Sequence, residues 1–276
     1  MDEMEPMAGI DLMALAAMLK AGLSQNGTGS ETKEESNTYD CPECRDTGLI
    51  AFKDEEGRWT AKQCKCWPAQ RAKRLLKESG LEDAVSRQTF DSFQTNTLLQ
   101  EKIKQKAEEY LRALLAMKGK KESRRPWFYV GGNPGSGKTH ICTAICGKLL
   151  DDGIDVKYMQ WVNEARRLKF INDPEEYDNA VNEYVRPSVL YIDDLLKQKY
   201  VDHPTFTEGD IKIAFSVLNQ RYLLDKPTII SSEWDLLDQL MDADEGVFSR
   251  VYERSKGFTL IVDRKQENNF RITGAV

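Results

Sequence analysis

The chain has 276 residues, 40% of them hydrophobic and 30% charged, and a net charge of −6. That length supports one full α/β core plus a small appendage. The acidic balance argues against a globally basic nucleic-acid binder, although it leaves room for a local basic patch.

The chain opens on acidic MDEMEP, which lacks the positive start of a secretory leader, and its apolar stretch 10–23 is too short to span a bilayer and carries Asp11 and Lys20. A soluble cytoplasmic protein with no membrane partner is expected, its six cysteines serving as reduced thiols or metal ligands. Residues 9–23 form a short Ala/Leu/Met-rich helix, apolar nearly all round. Such a helix is marginal alone in water, so it either packs on its own domain or binds a partner. Residues 24–38 are polar and low in complexity, as in a flexible linker.

Cys41-Pro-Glu-Cys44 and Cys64-Lys-Cys66 follow, separated by 19 residues that read as two short strands, GLIAF and RWTAK, joined at DEEG. Two cysteine knuckles at the ends of a hairpin bring four thiolates into a tetrahedron, which suits a structural zinc ion with no open position for chemistry. Free cysteines and an iron–sulfur cluster are the alternatives. PAQRAKRLLKESG is a basic helix closed by Gly80, and 98–118 has apolar residues at helical spacing.

After Pro126 strands and helices alternate. WFYVGG, VKYMQW, VLYID, PTIISS and FTLIVD read as strands; THICTAICGKLL, NEARRLKFI, IKIAFSVLNQRYLL and GVFSRVYERS read as helices. This order makes an α/β fold, a parallel five-stranded sheet flanked by helices. Cys142 and Cys146 lie four apart on the helix after the first of these strands and read as core residues.

Gly132-Asn133-Pro134-Gly135-Ser136-Gly137-Lys138-Thr139 satisfies G-x-x-x-x-G-K-[ST] between a strand and a helix. Its glycines let successive N–H groups turn toward phosphate oxygens, and the helix N-terminus adds its dipole. ATP is the expected ligand, held by residues 133–140. Lys138 reaches the β and γ phosphates, Thr139 ligates Mg2+, and His140 sits beside the phosphates with no other role assigned. Asp193 and Asp194 emerge at the C-terminal end of a buried strand, where ligands bind in open sheets. Asp193 is placed to hold magnesium, Asp194 to orient the attacking water. A polar residue ending PTIISS commonly lies between these two motifs and touches the γ-phosphate; Ser231, Ser232 and Glu233 are the candidates, and Ser232 is favoured. Glu233 pointing inward would repel that phosphate.

Arg250 and Arg254 share one helix face. Arg250 is placed to reach the γ-phosphate of a neighbouring subunit; otherwise both arginines pair with Asp242, Asp244 or Glu245. Arg166, Arg167 and Lys169 form a basic cluster near Trp161 and Phe170, suited to single-stranded DNA or else a solvated helix face. After FTLIVD only residues 264–276 remain. They are too few for the helical lid that many ATPases carry there, so closure is expected from a neighbour, and Arg271 would have no bundle to hold it.

SGL and TFDSF before the core, GNPGSGKTHICTAI, VLYIDDLLK, LNQRYLLDKPTIISSE and FSRVYERSKGF together resemble the AAA+ helicase loaders of the DnaC/DnaI group and their IstB-type transposition relatives. The resemblance covers about residues 79–271. It departs where loaders often read Thr-Ser-Asn and this chain reads Ser231-Ser232-Glu233. It implies a slow ATPase that self-associates through its AAA+ domain and delivers a replicative hexameric helicase onto single-stranded DNA, with the N-terminal region, zinc module included, gripping the helicase. A transposition helper of the IstB type and a nucleotide-gated adaptor with little hydrolysis are the alternatives. The expected organisation is a helix and linker over 1–38, a zinc-ribbon-like module and basic helix over 39–79, and a lid-less AAA+ ATPase domain over 80–276.

Overall fold

The computed structural model describes residues 39, 41–120, 124–197, 207–235 and 240–274. The helix expected over 9–23 and the linker over 24–38 lie outside the described residues. Two compact units follow one another, the first ending at Arg71 and the second beginning at Ala72.

The first unit is a hairpin. Strands β1 (Leu49–Lys53) and β2 (Trp59–Gln63) pair antiparallel, with Leu49 opposite Gln63 and Lys53 opposite Trp59. The turn between them is closed by the Gly57 N–H donating to the Asp54 carbonyl at 3.0 Å, while the Asp54 carboxylate accepts from the N–H groups of Glu56 and Arg58. The strands are short and mostly exposed.

Helix α1 (Trp67–Ser79) begins where the hairpin ends. The boundary falls inside this helix at Arg71, not after it at residue 79. The reason is packing: Leu75 is buried in a cluster with Phe128, Ile141 and Ile145 of the α/β unit, so the last two turns belong there.

The second unit continues with α2 (Glu82–Val85), α3 (Leu98–Leu115), β3 (Phe128–Gly132), α4 (Lys138–Asp151), β4 (Val156–Gln160), α5 (Trp161–Lys169), α6 (Pro174–Val185), β5 (Val189–Asp193) and α7 (Glu208–Leu223). Then come β6 (Thr228–Ser231), α8 (Met241–Ala243), α9 (Glu245–Ser255), β7 (Thr259–Val262), a 3-10 turn (Gln266–Asn268) and α10 (Phe270–Thr273). Local chemistry sets the starts. Thr97 and Gln100 form a capping box on α3, Thr207 and Asp210 form another on α7, and Asp173 caps α6 with Pro174 just inside. α6 has no counterpart among the elements expected from hydrophobic periodicity; its start signal in the sequence is Asp173-Pro174-Glu175.

The five strands are parallel in the order β4-β5-β6-β3-β7. This order sets β6 between the strand that leads into the phosphate loop and the strand that ends in Asp193. β3 and β5 are buried on both faces, as a covered parallel sheet requires. Alternation sends Trp127, Tyr129, Leu190, Ile192 and Ile230 to a core with α5, α6, α7 and α9. It sends Phe128, Val130, Val189, Tyr191 and Ile229 to a core with α3 and α4.

Arg221 on α7 is fully buried and donates to the carbonyls of Tyr184, Val185, Pro187, Ser188 and Pro227, tying α6 to the starts of β5 and β6. Burial pushes its guanidinium down to about 9. Among the described residues no helix is long and apolar enough to cross a membrane.

Candidate nucleotide site and cysteine centre

Residues 132–139 form a loop between β3 and α4 at the C-terminal edge of the sheet. Gly132 has φ +102°, and a Cβ there would lie 2.0 Å from the Val262 carbonyl oxygen, so only glycine lets β3 pass β7 into the loop. Gly137, at φ +83°, caps α4; its missing Cβ leaves room for the Phe93 ring, which would otherwise be 2.9 Å away.

A cavity of about 690 Å3 opens here, lined by Pro134, Gly135, Gly137, Lys138, Thr139 and His140 from the loop side. Asp193, Asp194, Lys197 and Glu233 line it from the ends of β5 and β6. Two loop residues turn away: the Asn133 amide donates to the Lys265 carbonyl at 3.0 Å, and the fully buried Ser136 hydroxyl donates to the Asn133 carbonyl at 2.8 Å.

The Lys138 ammonium is buried and donates to the carbonyls of Gly132 at 2.9 Å and Asn133 at 2.7 Å. Burial pushes it down to about 8, against the attraction of Glu233 and Asp194. Thr139 Oγ1 donates to Asp193 Oδ1 at 3.1 Å, joining the two motifs across 54 residues of sequence.

Asp193 is held by hydroxyls. Tyr191 at 2.7 Å and Ser231 at 2.6 Å also donate to Oδ1, and Tyr158 donates to Oδ2 at 3.0 Å. Among the described residues no lysine or arginine pairs with it. A buried carboxylate beside a threonine hydroxyl, with no cation of its own, is the donor set that a hard divalent ion such as Mg2+ takes. Tyr191 was legible in the sequence, two residues before Asp193 on one strand face, whereas Tyr158 arrives through its register with Tyr191 on β4, which only strand pairing sets.

Asp194 follows at φ +59° and is 28% exposed in its side chain. Burial and the neighbouring Asp193 carboxylate push its carboxyl up, while Lys197, 3.0 Å away, pulls it down.

At the end of β6 the three polar residues diverge. Ser231 faces Asp193 and accepts from the Asp194 N–H at 3.0 Å. Ser232 is 1% exposed; its hydroxyl donates to the Leu195 carbonyl at 3.0 Å and accepts from the Trp234 N–H, away from the cavity. Glu233, not Ser232, lines the cavity, because adjacent residues leaving a strand point to opposite sides. Its Oε1 lies 2.8 Å from Lys197 Nζ.

The N-terminal and C-terminal segments of this unit complete the walls. His140 Nε2 lies 2.9 Å from the Thr89 carbonyl and 3.1 Å from Ser92 Oγ, and its ring meets Phe93 edge-on. After β7 the Phe270 N–H donates to the Gly135 carbonyl at 3.0 Å, the Phe270 ring is buried, and Arg271 lines the cavity. Arg271 is carried by the four-residue α10, which is pinned to the phosphate loop.

Arg250 does not line its own chain's cavity. It donates to Asn219 Oδ1 at 2.8 Å and the Gly246 carbonyl at 2.6 Å and lies over Phe215, 4.8 Å from the ring centre. Arg254 is buried and pairs with Asp225, whereas Asp244 caps α9 through the Val247 N–H. In the basic cluster Arg167 is engaged by Glu164 and Glu183, and Lys169 lies 2.6 Å from the Asp210 carboxylate. Arg166 and Phe170 are exposed, and among the described residues no ion pair engages Arg166.

In the first unit the ligand atoms of Cys41, Cys44, Cys64 and Cys66 all lie within 4.8 Å of one another, with Cys41–Cys64 at 3.7 Å and Cys44–Cys66 at 3.2 Å. Four thiolates about 2.3 Å from one ion stand about 3.8 Å apart, so the cluster fits a tetrahedral metal with small adjustment. The Gly48 N–H donates to Cys44 Sγ at 3.3 Å, a hydrogen bond of the kind that would steady a ligating thiolate. Cys142 and Cys146 are buried in the sheet core, and burial pushes both thiols up, away from reactivity.

The family described as IstB-like ATP binding protein matches residues 69–249. The chain belongs to that family. The Bacillus subtilis (strain 168) protein described as phage-like element PBSX protein XkdC is 31% identical over 245 residues, 88% of this chain and 90% of that one. A second protein of the same organism, the uncharacterized protein YqaM, is 28% identical over 290 residues, 88% of this chain and 89% of that one. The fold is similar to that of AMPPCP-bound DnaA from Aquifex aeolicus, with a TM-score of 0.50 and 19% identity over 68% of this chain and 53% of that chain. This IstB-like ATP-binding protein therefore has an AAA+-like core, and the DnaC/DnaI-type resemblance read from its motifs agrees with its family.

Proposed function

We propose that this IstB-like protein is an ATP-hydrolysing loader that places a replicative hexameric helicase on single-stranded DNA. The observation that carries the nucleotide part is the meeting of Thr139 with Asp193 beside Lys138 in one cavity. The triphosphate would lie along 133–140, with Lys138 on its β and γ oxygens. Thr139 and Asp193 would hold Mg2+, which neutralises phosphate charge. Asp194 would orient the attacking water. Arg250 of a neighbouring copy would stabilise the charge that develops on transfer.

Arg250→Ala is therefore expected to leave ATP affinity within about twofold and to lower turnover on the order of a hundredfold or more. Titration and phosphate release on the full chain separate these effects. A collapse of ATP affinity would show the residue to be structural.

The partner assignments rest on the DnaC/DnaI-type motifs and on the cysteine module. Residues 1 to about 78 would grip the helicase, with zinc held by Cys41, Cys44, Cys64 and Cys66, and the AAA+ domain over 80–276 would self-associate in the cytoplasm. Single-stranded DNA would meet the α5 cluster, with Arg166 and Phe170 most accessible and Arg167 and Lys169 exchanging carboxylates for phosphates.

The deciding experiment is co-purification of the full chain with the host's replicative helicase, with and without ATP. A stable, ATP-dependent complex is expected. The IstB-like family match also favours a transposition helper, so a transposase is the second bait; capture of the transposase and not the helicase would replace the loader reading.

A further inference from the structure

We propose that Lys197 is the cation by which this chain tells a nucleoside triphosphate from a diphosphate, with Glu233 as its counter-ion and Asp194 as the carboxylate it releases. The inference rests on the reading of the cavity as a nucleotide site and deepens it.

Lys197 Nζ lies 3.0 Å from Asp194 Oδ2 and 2.8 Å from Glu233 Oε1. All three side chains line the same cavity as Lys138 and Thr139, and none is fully exposed: 36% for Lys197, 28% for Asp194 and 26% for Glu233. The lysine is held there by the backbone. Asp194 and Leu196 both adopt positive φ, +59° and +61°, in the turn after β5. A leucine in that region is strained, and strain of this kind persists only where surrounding contacts impose it. Here they do. Leu195 and Leu196 are buried, the Leu195 N–H donates to the Ser231 carbonyl at 2.9 Å, and the Trp234 indole donates to the Leu196 carbonyl at 3.3 Å. The turn therefore aims Lys197 back at the cavity.

An ammonium shared between two carboxylates exchanges readily to a phosphate, whose terminal oxygens carry more charge. When a γ-phosphate arrives, Lys197 moves its hydrogen bonds to it. Asp194 is then free to accept from water, while Glu233, still beside the ammonium, competes with the phosphate for it. A diphosphate offers no such group, so Lys197 stays on Asp194. The anionic residue at the end of β6 thus acts on the phosphate through a lysine rather than repelling it.

The test is titration of the full chain with fluorescent ATP and ADP analogues at fixed Mg2+, alongside thermal melting. Lys197→Ala is expected to weaken ATP on the order of tenfold and ADP by less than about threefold, while Lys197→Arg keeps the preference for ATP. Glu233→Gln, which removes one competitor for the ammonium, is expected to raise the ratio of ATP to ADP affinity. An unchanged ratio in a Lys197→Ala variant that melts like the wild type would overturn the proposal, as would equal weakening of both nucleotides or a lower ratio in Glu233→Gln. Failure of the wild type to bind either nucleotide is a separate outcome that removes the nucleotide reading and this inference with it.

Discussion

Lys138→Ala is expected to lower ATP affinity on the order of a hundredfold, with turnover falling below detection, while the chain stays folded. The ammonium is buried at the first turn of α4 with its nearest partners two carbonyls of its own loop. Neutral carbonyls are weak partners for a cation held near pKa 8 by burial, so an incoming phosphate gains a charge-assisted bond that the loop alone does not offer. Alanine removes that bond. It also frees the Gly132 and Asn133 carbonyls, but Lys138 lines an open cavity, so water can satisfy them. Melting temperature should therefore shift by only a few degrees, roughly the effect of 1 kcal/mol or less. Nucleotide titration and thermal melting of the same sample check both halves. A folded variant that binds ATP as the wild type does would remove the site.

The second large effect concerns the cysteine module. Purified protein should carry about one zinc ion per chain, and chelation or Cys64→Ser should unfold residues 41–71 and leave 72–276 folded. The hairpin has two five-residue strands, and within 41–71 the buried residues are Cys44, Gly48 and Cys64. An isolated two-stranded hairpin is at best marginal in water, and this one has almost no apolar core to add. Metal binding to four thiolates contributes roughly 10–16 kcal/mol of apparent free energy in comparable small sites, enough to decide whether the module folds. Metal analysis followed by limited proteolysis of the full chain measures this. Metal-free protein whose 41–71 segment resists protease would refute the metal assignment.

Much of the site was legible because its parts are local. The phosphate loop needs glycines and a lysine at fixed offsets between one strand and one helix, and 132–139 supplies them. The cysteine centre needs two close pairs at the ends of a hairpin, and Cys41, Cys44, Cys64 and Cys66 supply those. Other parts were misplaced for definite reasons. Ser232 and Ser231 are chemically alike, and only the exit of the chain from β6 decides which one faces Asp193. Arg254 has several acids close in sequence, yet it pairs with Asp225, which the turn after α7 brings under α9. Lys197 carried no signal in the sequence, because only the turn at Asp194 and Leu196 directs it inward.

The sequence by itself determined the alternation that builds a parallel sheet, the loop that can cradle phosphates, the carboxylates at the end of β5 and the thiol spacing. Each depends on residues within a few positions of one another, where backbone geometry fixes distance. Only the tertiary structure decided that β6 runs between β3 and β5, that Tyr158 and Ser231 join Thr139 on Asp193, that Phe270 pins the tail to the loop, and that Glu233 meets Lys197. Those meetings join residues tens of positions apart, and strand order, which hydrophobic periodicity does not encode, sets them.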